Sequence, residues 1–440
     1  MTLKEKIGSR KAAIGVIGAG YVGLPLSVRF AECGFRVTAF EIDERKVEAI
    51  QNGRSYIADV GTATLAKLVN AGKFTATTDM AKLAACDAVS ICVPTPLNKT
   101  RDPDVSAVLA AVEAIKRTLH KNELVIVEST TYPGFTREAV LPMFAETGLK
   151  VGDDFFLAFS PERVDPGNPT YHVKNTPKIV GGHTPRCLEH VALLYGEVVD
   201  HVVRVSSTDS AEMAKLLENT FRAVNIGLVN EVALMCKRLG IDTWEVIEAA
   251  ASKPFGFMPF YPGPGLGGHC IPVDPHYLSW KMKTLNYTAR FIDLAGEVNS
   301  AMPRIVVELV VDALNVDRKA VNGSRVLVCG VSYKRDSDDL RESPALDVIE
   351  LLLERSATVD FHDPHVPELT VASGHRFKSV DITRPGAIEA YDAAIIVTDH
   401  RALDVVALLE RASLVIDTRN ATKAPLAATP KRTRARVVRL

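Results

Sequence analysis

The sequence predicts an α/β protein in which two doubly wound parallel-sheet units flank a helical middle. Three observations carry this. Short apolar strands alternate with helical stretches in the first third of the chain, and the same alternation returns near its end. Between them, residues 208–240 keep helical apolar spacing without a proline. Apolar strands separated by helices imply a parallel sheet covered on both faces.

The elements follow in order. A-A-I-G-V-I-G-A-G (12–20) reads as a strand and turn, and Y-V-G-L-P-L-S-V-R-F-A-E-C-G (21–34) as a helix. F-R-V-T-A-F-E-I-D (35–43) is a second strand, and 43–53 a helix with a leading acid and a closing glycine. D-A-V-S-I-C-V-P-T-P (87–96) and E-L-V-I-V-E-S-T-T-Y-P-G (123–134) are strands ending in polar or proline residues, and 155–168 is a strand with its loop. The long helix has Asp209 or Ser210 as candidate caps, stops at Gly240, and suits a domain spine or a dimer interface. Alternation resumes with a strand at 324–334, a helix at 343–357 and strands at 358–364, 392–400 and 413–420. The basic end, A-T-P-K-R-T-R-A-R-V-V-R-L, lacks apolar period and reads as a solvated tail.

Composition sets limits on function. A chain of 440 residues is too long for one core, so two or three domains are expected. A formal net charge of -1 gives no reason to expect nucleic acid or an anionic membrane as partner. No apolar run reaches the roughly 18–20 residues of a membrane helix. The N-terminus passes from a short charged stretch straight into a strand, which argues against a signal peptide and for the cytoplasm. The seven cysteines form no C-x-x-C pair, so neither disulfides nor a metal site is expected. Cys33, Cys86, Cys92, Cys187, Cys236 and Cys329 read as small buried hydrophobes. Cys270 differs, because its neighbours are glycine, histidine and proline.

Gly18-Ala19-Gly20-Tyr21-Val22-Gly23 matches G-x-G-x-x-G. It follows the strand Ile14–Ile17 and opens a helix, the context of a dinucleotide pyrophosphate on a helix N-terminus. The second strand ends at Glu41, 18 residues after Gly23. A carboxylate there accepts from both ribose hydroxyls of NAD and repels a 2′-phosphate. Asp43 is the rival carboxylate and reads better as a helix cap. The later α/β unit has Gly330 after its first strand but Ser332 and Tyr333 next, which suits a different phosphate-bearing ligand.

The segment 262–275, P-G-P-G-L-G-G-H-C-I-P-V-D-P, is the least ordinary in the chain. Its glycines suit close approach of backbone to a ligand. Cys270 follows at an expected helix start, where the dipole favours thiolate. Lys215 and Asn219 share a face of the long helix, so an ammonium and a carboxamide stand side by side.

These residues resemble the UDP-glucose/GDP-mannose dehydrogenase family, over about 10 to 420. The resemblance rests on the glycine fingerprint, V-P-T-P (93–96), E-S-T (128–130), S-P-E-R (160–163), A-E-M-A-K-L-L-E-N (211–219), G-x-G-G-H-C-x-P-x-D (265–274) and Y-K-R-D…R-E-S-P (333–344). It implies two Rossmann-like doubly wound domains joined by a central helical domain. The expected bounds are 1–207 for NAD, 208–305 for the helical, dimerising part, 306–425 for UDP, and a basic tail from 426 to 440. It implies Cys270 as nucleophile, Lys215 and Asn219 as an oxyanion-stabilising pair, and Asp274 as the carboxylate that orients water. The resemblance implies that Thr130 and Glu162 hold that water and assist proton transfer, that Thr95 and Thr130 join the glycine turn and Glu41 around NAD, and that Arg163, Gly267, Lys334 and Arg341 join Glu162, Lys215 and Asn219 around the UDP-sugar. The implied reaction takes a sugar C6 hydroxymethyl to a carboxylate through a thiohemiacetal and a thioester.

Two departures bear on the sugar. Val273 stands where many UDP-glucose enzymes carry lysine, and S-P-E-R-V-D-P-G-N (160–168), Y-P-G (132–134) and H-C-I-P-V-D-P-H-Y (269–277) look like the branch acting on UDP-N-acetylhexosamines, within which E-R-V-D-P-G-N (162–168) is similar to UDP-N-acetylglucosamine 6-dehydrogenases. UDP-N-acetylmannosamine is the runner-up. A two-electron dehydrogenase of 3-hydroxyacids is the rival class, but it needs neither the Cys270 loop nor a second α/β unit. An NAD-sensing protein without activity is a more distant one.

Overall fold

A computed structural model describes residues 1–440 except Ala58, Lys99, Arg101, Pro166, Gly167, Pro169, His269 and Lys431. Pro166 and Gly167 of the S-P-E-R-V-D-P-G-N stretch and His269 of the glycine loop therefore lie outside the described residues. The chain divides into two compact units: Met1–Glu218 with His276–Tyr287, and Asn219–Pro275 with Thr288–Leu440.

The first unit begins with α1 (Leu3–Gly8), a helix where sequence reading saw only a charged stretch. Thr2 and Glu5 form a capping box, and Leu3 and Ile7 turn inward. Then come β1 (Ala13–Ile17), α2 (Gly23–Glu32), β2 (Arg36–Phe40), α3 (Glu44–Gln51), α4 (Thr62–Asn70), β3 (Phe74–Thr77), β4 (Ala88–Ile91) and α5 (Ser106–Lys116). They are followed by β5 (Leu124–Val127), α6 (Leu141–Ala145), β6 (Phe156–Phe159), β7 (Lys178–Gly182), α7 (Pro185–Gly196) and β8 (Val202–Val205). Asp43 caps α3 by accepting from Arg45 N–H at 3.0 Å, as its position before an amphipathic run suggests. The sheet order is β3-β2-β1-β4-β5-β6-β7-β8. Its strand order reverses between β1 and β4, where doubly wound sheets bind ligands. Apolar layers cover both faces. Leu24, Phe30, Phe35 and Leu194 lie in one, Val108, Phe135 and Phe144 in the other.

The sheet is parallel, as expected, except at one pair: β7 runs antiparallel to β6. Parallel neighbours need a crossover of a dozen or more residues, usually a helix. The link from Phe159 to Lys178 holds no helix among its described residues, and the chain returns beside β6 in the opposite sense.

α8 (Thr208–Leu239) begins before both candidate caps. Ser207 Oγ accepts from Ser210 N–H at 3.1 Å, so Asp209 and Ser210 lie inside the first turn. Gly240, with φ of 69°, ends the helix. α9 (Thr243–Ala251) is capped by Asp242, and α10 (Asp274–Thr284) and α11 (Arg290–Val316) follow. α11 carries Pro303 inside it and runs straight through the expected division at 305/306. Phe221, Leu228, Met235, Phe291 and Leu294 on α8 and α11 are exposed.

The second unit continues with β9 (Arg325–Cys329), α12 (Pro344–Glu354), β10 (Thr358–His362), a small hairpin of β11 (Glu368–Thr370) and β12 (Arg376–Lys378), and β13 (Ala393–Ile396). α13 (Val405–Arg411), β14 (Leu414–Asp417), α14 (Lys423–Ala428) and β15 (Arg436–Arg439) complete it. Its sheet, β10-β9-β13-β14-β15, is parallel throughout. The basic end is not the solvated tail its sequence suggests but an edge strand. Arg436 and Arg439 pair with Asp317 and Asp242, Leu440 is buried, and Val437 and Val438 pack beside the two apolar layers. Two apolar residues between arginines are too short a run to show a period. Among the described residues no helix is long and apolar enough to cross a membrane.

Candidate active site

In the first unit, the three fingerprint glycines have separate jobs. A Cβ on Gly23 would stand 1.8 Å from Gly18 O, and one on Gly18 would stand 2.5 Å from Cys92 O. These two glycines let α2 and the end of β4 close on the turn. Gly20 has nothing within 4 Å of its Cβ position, so open space lies where a pyrophosphate would meet backbone. Glu41 is buried at the end of β2 and accepts from Ala19 N–H at 3.0 Å, Ile42 N–H at 2.9 Å and Asp43 N–H at 3.2 Å. Its carboxylate thus holds the glycine turn as well as standing where a ribose hydroxyl would donate. Tyr21 is exposed and Val22 half-buried at the start of α2. Thr95 is buried, and its carbonyl accepts from Tyr277 Oη–H of α10 at 3.1 Å. These residues fit NAD.

A charged cluster sits at the carboxyl ends of β5 and β6. Because β7 runs backwards, its first residue, Lys178, comes to that same edge. Lys178 Nζ lies 2.7 Å from Glu128 and 3.4 Å from Glu162, and Tyr195 Oη–H donates to Glu128. Burial pushes the Glu162 carboxyl up, but Lys178, the N–H groups of Val164 and Arg163, and Lys215 outweigh it and hold Glu162 below the usual range. Lys178 stays cationic: burial opposes its charge, and the two carboxylates more than offset this. Thr130 is half-buried just beyond β5.

Lys215 is 9% exposed, unlike the solvated lysine that helix surfaces usually carry. Glu212, one turn earlier on α8, accepts from Gly134 N–H at 2.6 Å and from Thr136 N–H and Oγ1–H at 2.9 and 2.6 Å. It anchors the Y-P-G turn and a single π turn, Thr136–Val140, to the helix that bears Lys215. Burial pushes its carboxyl up to about 7. Arg163, expected at the substrate, has its guanidinium engaged by Glu218 at 2.6 Å and by Pro177 O at 2.7 Å.

In the second unit, Asn219 Nδ2–H donates to Asp274 Oδ2 at 2.5 Å, and both residues are buried. The Cys270 carbonyl accepts from Asp274 N–H at 2.8 Å and Val273 N–H at 3.2 Å, so the cysteine stands one turn ahead of α10. Cys270 is exposed, whereas Cys86, Cys92, Cys187, Cys236 and Cys329 are buried and Cys33 is intermediate. Burial pushes the thiols of Cys86 and Cys329 up to about 12, which keeps them unreactive.

The glycines ahead of Cys270 approach protein closely. A Cβ on Gly268, at φ 84°, would stand 2.7 Å from the Tyr333 ring, and one on Gly267 would stand 2.5 Å from Tyr333 Cβ. Gly268 N–H donates to Arg341 O at 3.0 Å, and Gly263 N–H donates to Asn230 Oδ1 at 3.0 Å. The loop is thus moulded onto 333–344, which qualifies the expectation that its glycines serve a ligand. Arg341 forks onto Asp339, with Nη2 at 2.6 Å, and Lys334 is half-buried.

Sequence reasoning assigned no role to Lys178, Glu128, Glu212, Tyr195 or Tyr277. A lysine opening the apolar strand K-I-V-G-G was the available signal for the first.

The glycine turn and the carboxylate closing β2 have the form of an NAD-binding domain, and the family match makes the chain an NAD-dependent dehydrogenase. Residues 12–199, 209–301 and 327–424 match the NAD binding, central and UDP binding domains of one family. The chain belongs to the UDP-glucose/GDP-mannose dehydrogenase family. It is 36% identical, over 88% of its length and 90% of the relative's, to a UDP-N-acetyl-D-glucosamine 6-dehydrogenase of Pseudomonas aeruginosa. It is 33% identical, over 92% of each chain, to a UDP-N-acetyl-D-mannosamine dehydrogenase of Methanococcus maripaludis. The solved UDP-D-ManNAc dehydrogenase of Pyrococcus horikoshii superposes with a TM-score of 0.86 at 31% identity, covering 97% of this chain and 99% of that one.

Proposed function

We propose that the enzyme oxidises the C6 hydroxymethyl of a UDP-N-acetylhexosamine, foremost UDP-N-acetylglucosamine, to the carboxylate. The observation that carries this reading is the exposed Cys270 one turn ahead of Asp274, whose carboxylate is held by Asn219. NAD supplies the hydride acceptor for each of two oxidations. Cys270 thiolate adds to the C6 aldehyde and keeps it attached as a thiohemiacetal. The second oxidation leaves a thioester. Water then adds to its carbonyl, the C–S bond breaks, and thiolate and carboxylate result. Lys215 and Asn219 stabilise negative charge on the C6 oxygen. Asp274, Thr130 and Glu162 hold the water, and its proton passes to a carboxylate. Lys334, Arg341 and Gly267 contact the UDP-sugar, and Thr95 and Thr130 the cofactor. Arg163, engaged by Glu218, acts by fixing the loop beside Glu162. The exposed apolar side chains of α8 and α11 support a homodimer.

The sugar is chosen by assay. NADH formation with UDP-N-acetylglucosamine, UDP-N-acetylmannosamine, UDP-N-acetylgalactosamine and UDP-glucose should favour the first, with two NADH formed per sugar. UDP-N-acetylmannosamine is the second reading, favoured by the Methanococcus and Pyrococcus relatives. One NADH per sugar, with aldehyde as product, would overturn the four-electron route.

A further inference from the structure

We propose that Lys178 is a positioning residue of the hydrolytic half-reaction: with Glu128 as counter-carboxylate, it holds the Glu162 carboxylate in place for water attack on the thioester. This rests on the function proposed above. The geometry is specific. Lys178 is buried at the start of β7, and its ammonium bridges two carboxylates carried by different strands, Glu128 after β5 and Glu162 after β6. Glu128 is tied a second time by the Tyr195 hydroxyl. The Tyr195 ring lies 5.3 Å from the ammonium, a cation–π contact that further fixes it. On its other side, Glu162 accepts from Arg163 N–H at 2.7 Å and Val164 N–H at 2.5 Å. The carboxylate is therefore clamped between a backbone turn and a buried cation. A lysine removed from water at this cost needs a purpose beyond stability, since a buried ion pair adds little net stabilisation over apolar packing.

The charged and titratable groups facing Glu162 come from several elements. Lys178 belongs to β7 and Lys215 to α8, and both favour the anion. Glu128 opposes it from the end of β5. Cys92, beyond β4, is a neutral thiol pushed well up by burial. Tyr195 on α7 is held neutral in the same way. Arg163 is neutralised by Glu218. Lys178 Nζ lies within hydrogen-bonding reach of a Glu162 oxygen, at 3.4 Å.

Two variants with opposite expected signs test this. Glu128→Gln removes the opposing anion and leaves Lys178 to Glu162 alone. The acid limb of kcat against pH should then move to lower pH. Glu128→Gln with Lys178→Met removes the ion pair as a unit and leaves Glu162 without its cation. The acid limb should then rise by about one pH unit or more. Below the shifted limb a burst of two NADH per subunit should precede a slow steady state limited by hydrolysis. Activity should recover as pH rises through the shifted limb, and KM for UDP-sugar should stay within about twofold. Thermal melts establish folding, and Glu128→Gln carries the test alone if the double variant does not fold. Limbs that coincide with wild type, or that move in the same direction in both variants, would overturn the role of Lys178. The failure of the four-electron reading is seen separately, in the NADH stoichiometry of the unaltered enzyme.

Discussion

Gly20→Ala separates what the glycine turn does for folding from what it does for NAD. Gly20 has no atom within 4 Å of an added Cβ and is absent from the positive-φ glycines, so alanine fits its backbone. Alanine at such a site leaves stability unchanged or raises it by up to about 1 kcal/mol, because the unfolded chain loses freedom. The same methyl would occupy the space where pyrophosphate oxygens meet backbone N–H groups. Losing one charge-assisted hydrogen bond costs about 1.5–3 kcal/mol. At 1.4 kcal/mol per decade, the Kd for NAD should rise roughly 10-fold to 150-fold. Gly23→Ala is the control: its Cβ would stand 1.8 Å from Gly18 O, which forces α2 off the sheet. Overpacking of this kind costs about 1–3 kcal/mol or more. Calorimetric titration with NAD and urea unfolding measure both quantities. Wild-type NAD affinity in Gly20→Ala would refute the assignment of this turn as the pyrophosphate cradle. Equal loss of stability in both variants would refute the division of labour.

Other outcomes follow from the same geometry. Cys270→Ser should bind NAD and UDP-sugar normally yet form no acid, measured by product analysis; acid at the normal rate would remove the covalent route. Asn219→Ala should deprive the buried Asp274 of a charge-assisted hydrogen bond, lowering stability by about 1.5–3 kcal/mol and reducing kcat, checked by urea melts and NADH formation. Glu212 binds its proton more tightly folded than unfolded, so its contribution is most favourable below the unfolded carboxyl range and is lost as pH rises through about 7. The stability of wild type relative to Glu212→Gln should fall by roughly 3 kcal/mol between pH 4 and 8, and a flat difference would contradict the burial argument. Deleting residues 435–440 removes β15 and the buried Leu440, and should lower the urea midpoint by an amount worth about 2 kcal/mol or more.

Much of the fold is legible in the sequence because its strands are apolar and its turns are marked by glycine and proline. The glycine turn, Glu41, the capping role of Asp43 and the exposure of Cys270 all agree with local pattern. Three features do not reveal themselves locally. The reversal of β7 depends on a connection without a crossover helix, which no periodicity records. The strand at the chain end hides its two valines between arginines that find acidic partners far away in sequence. Lys178 and Glu212 are informative only once burial is known, because an isolated charge in a strand or helix has the same letter whether wet or dry. The glycines ahead of Cys270 mislead in another way. Their freedom serves the ring of Tyr333 as much as any ligand.

The membership of residues 276–287 in the first unit has a consequence for how such a chain can be divided. Tyr277 reaches the carbonyl of Thr95, and Trp280 lies against Tyr132, although residues 219–275 intervene in sequence. A fragment cut before α8 would keep every strand of its sheet yet lack the helix that covers the V-P-T-P and Y-P-G turns. The matched family regions are therefore poor candidates for exchange between relatives one at a time. A protease nick in the intervening stretch should leave two pieces that travel together through gel filtration.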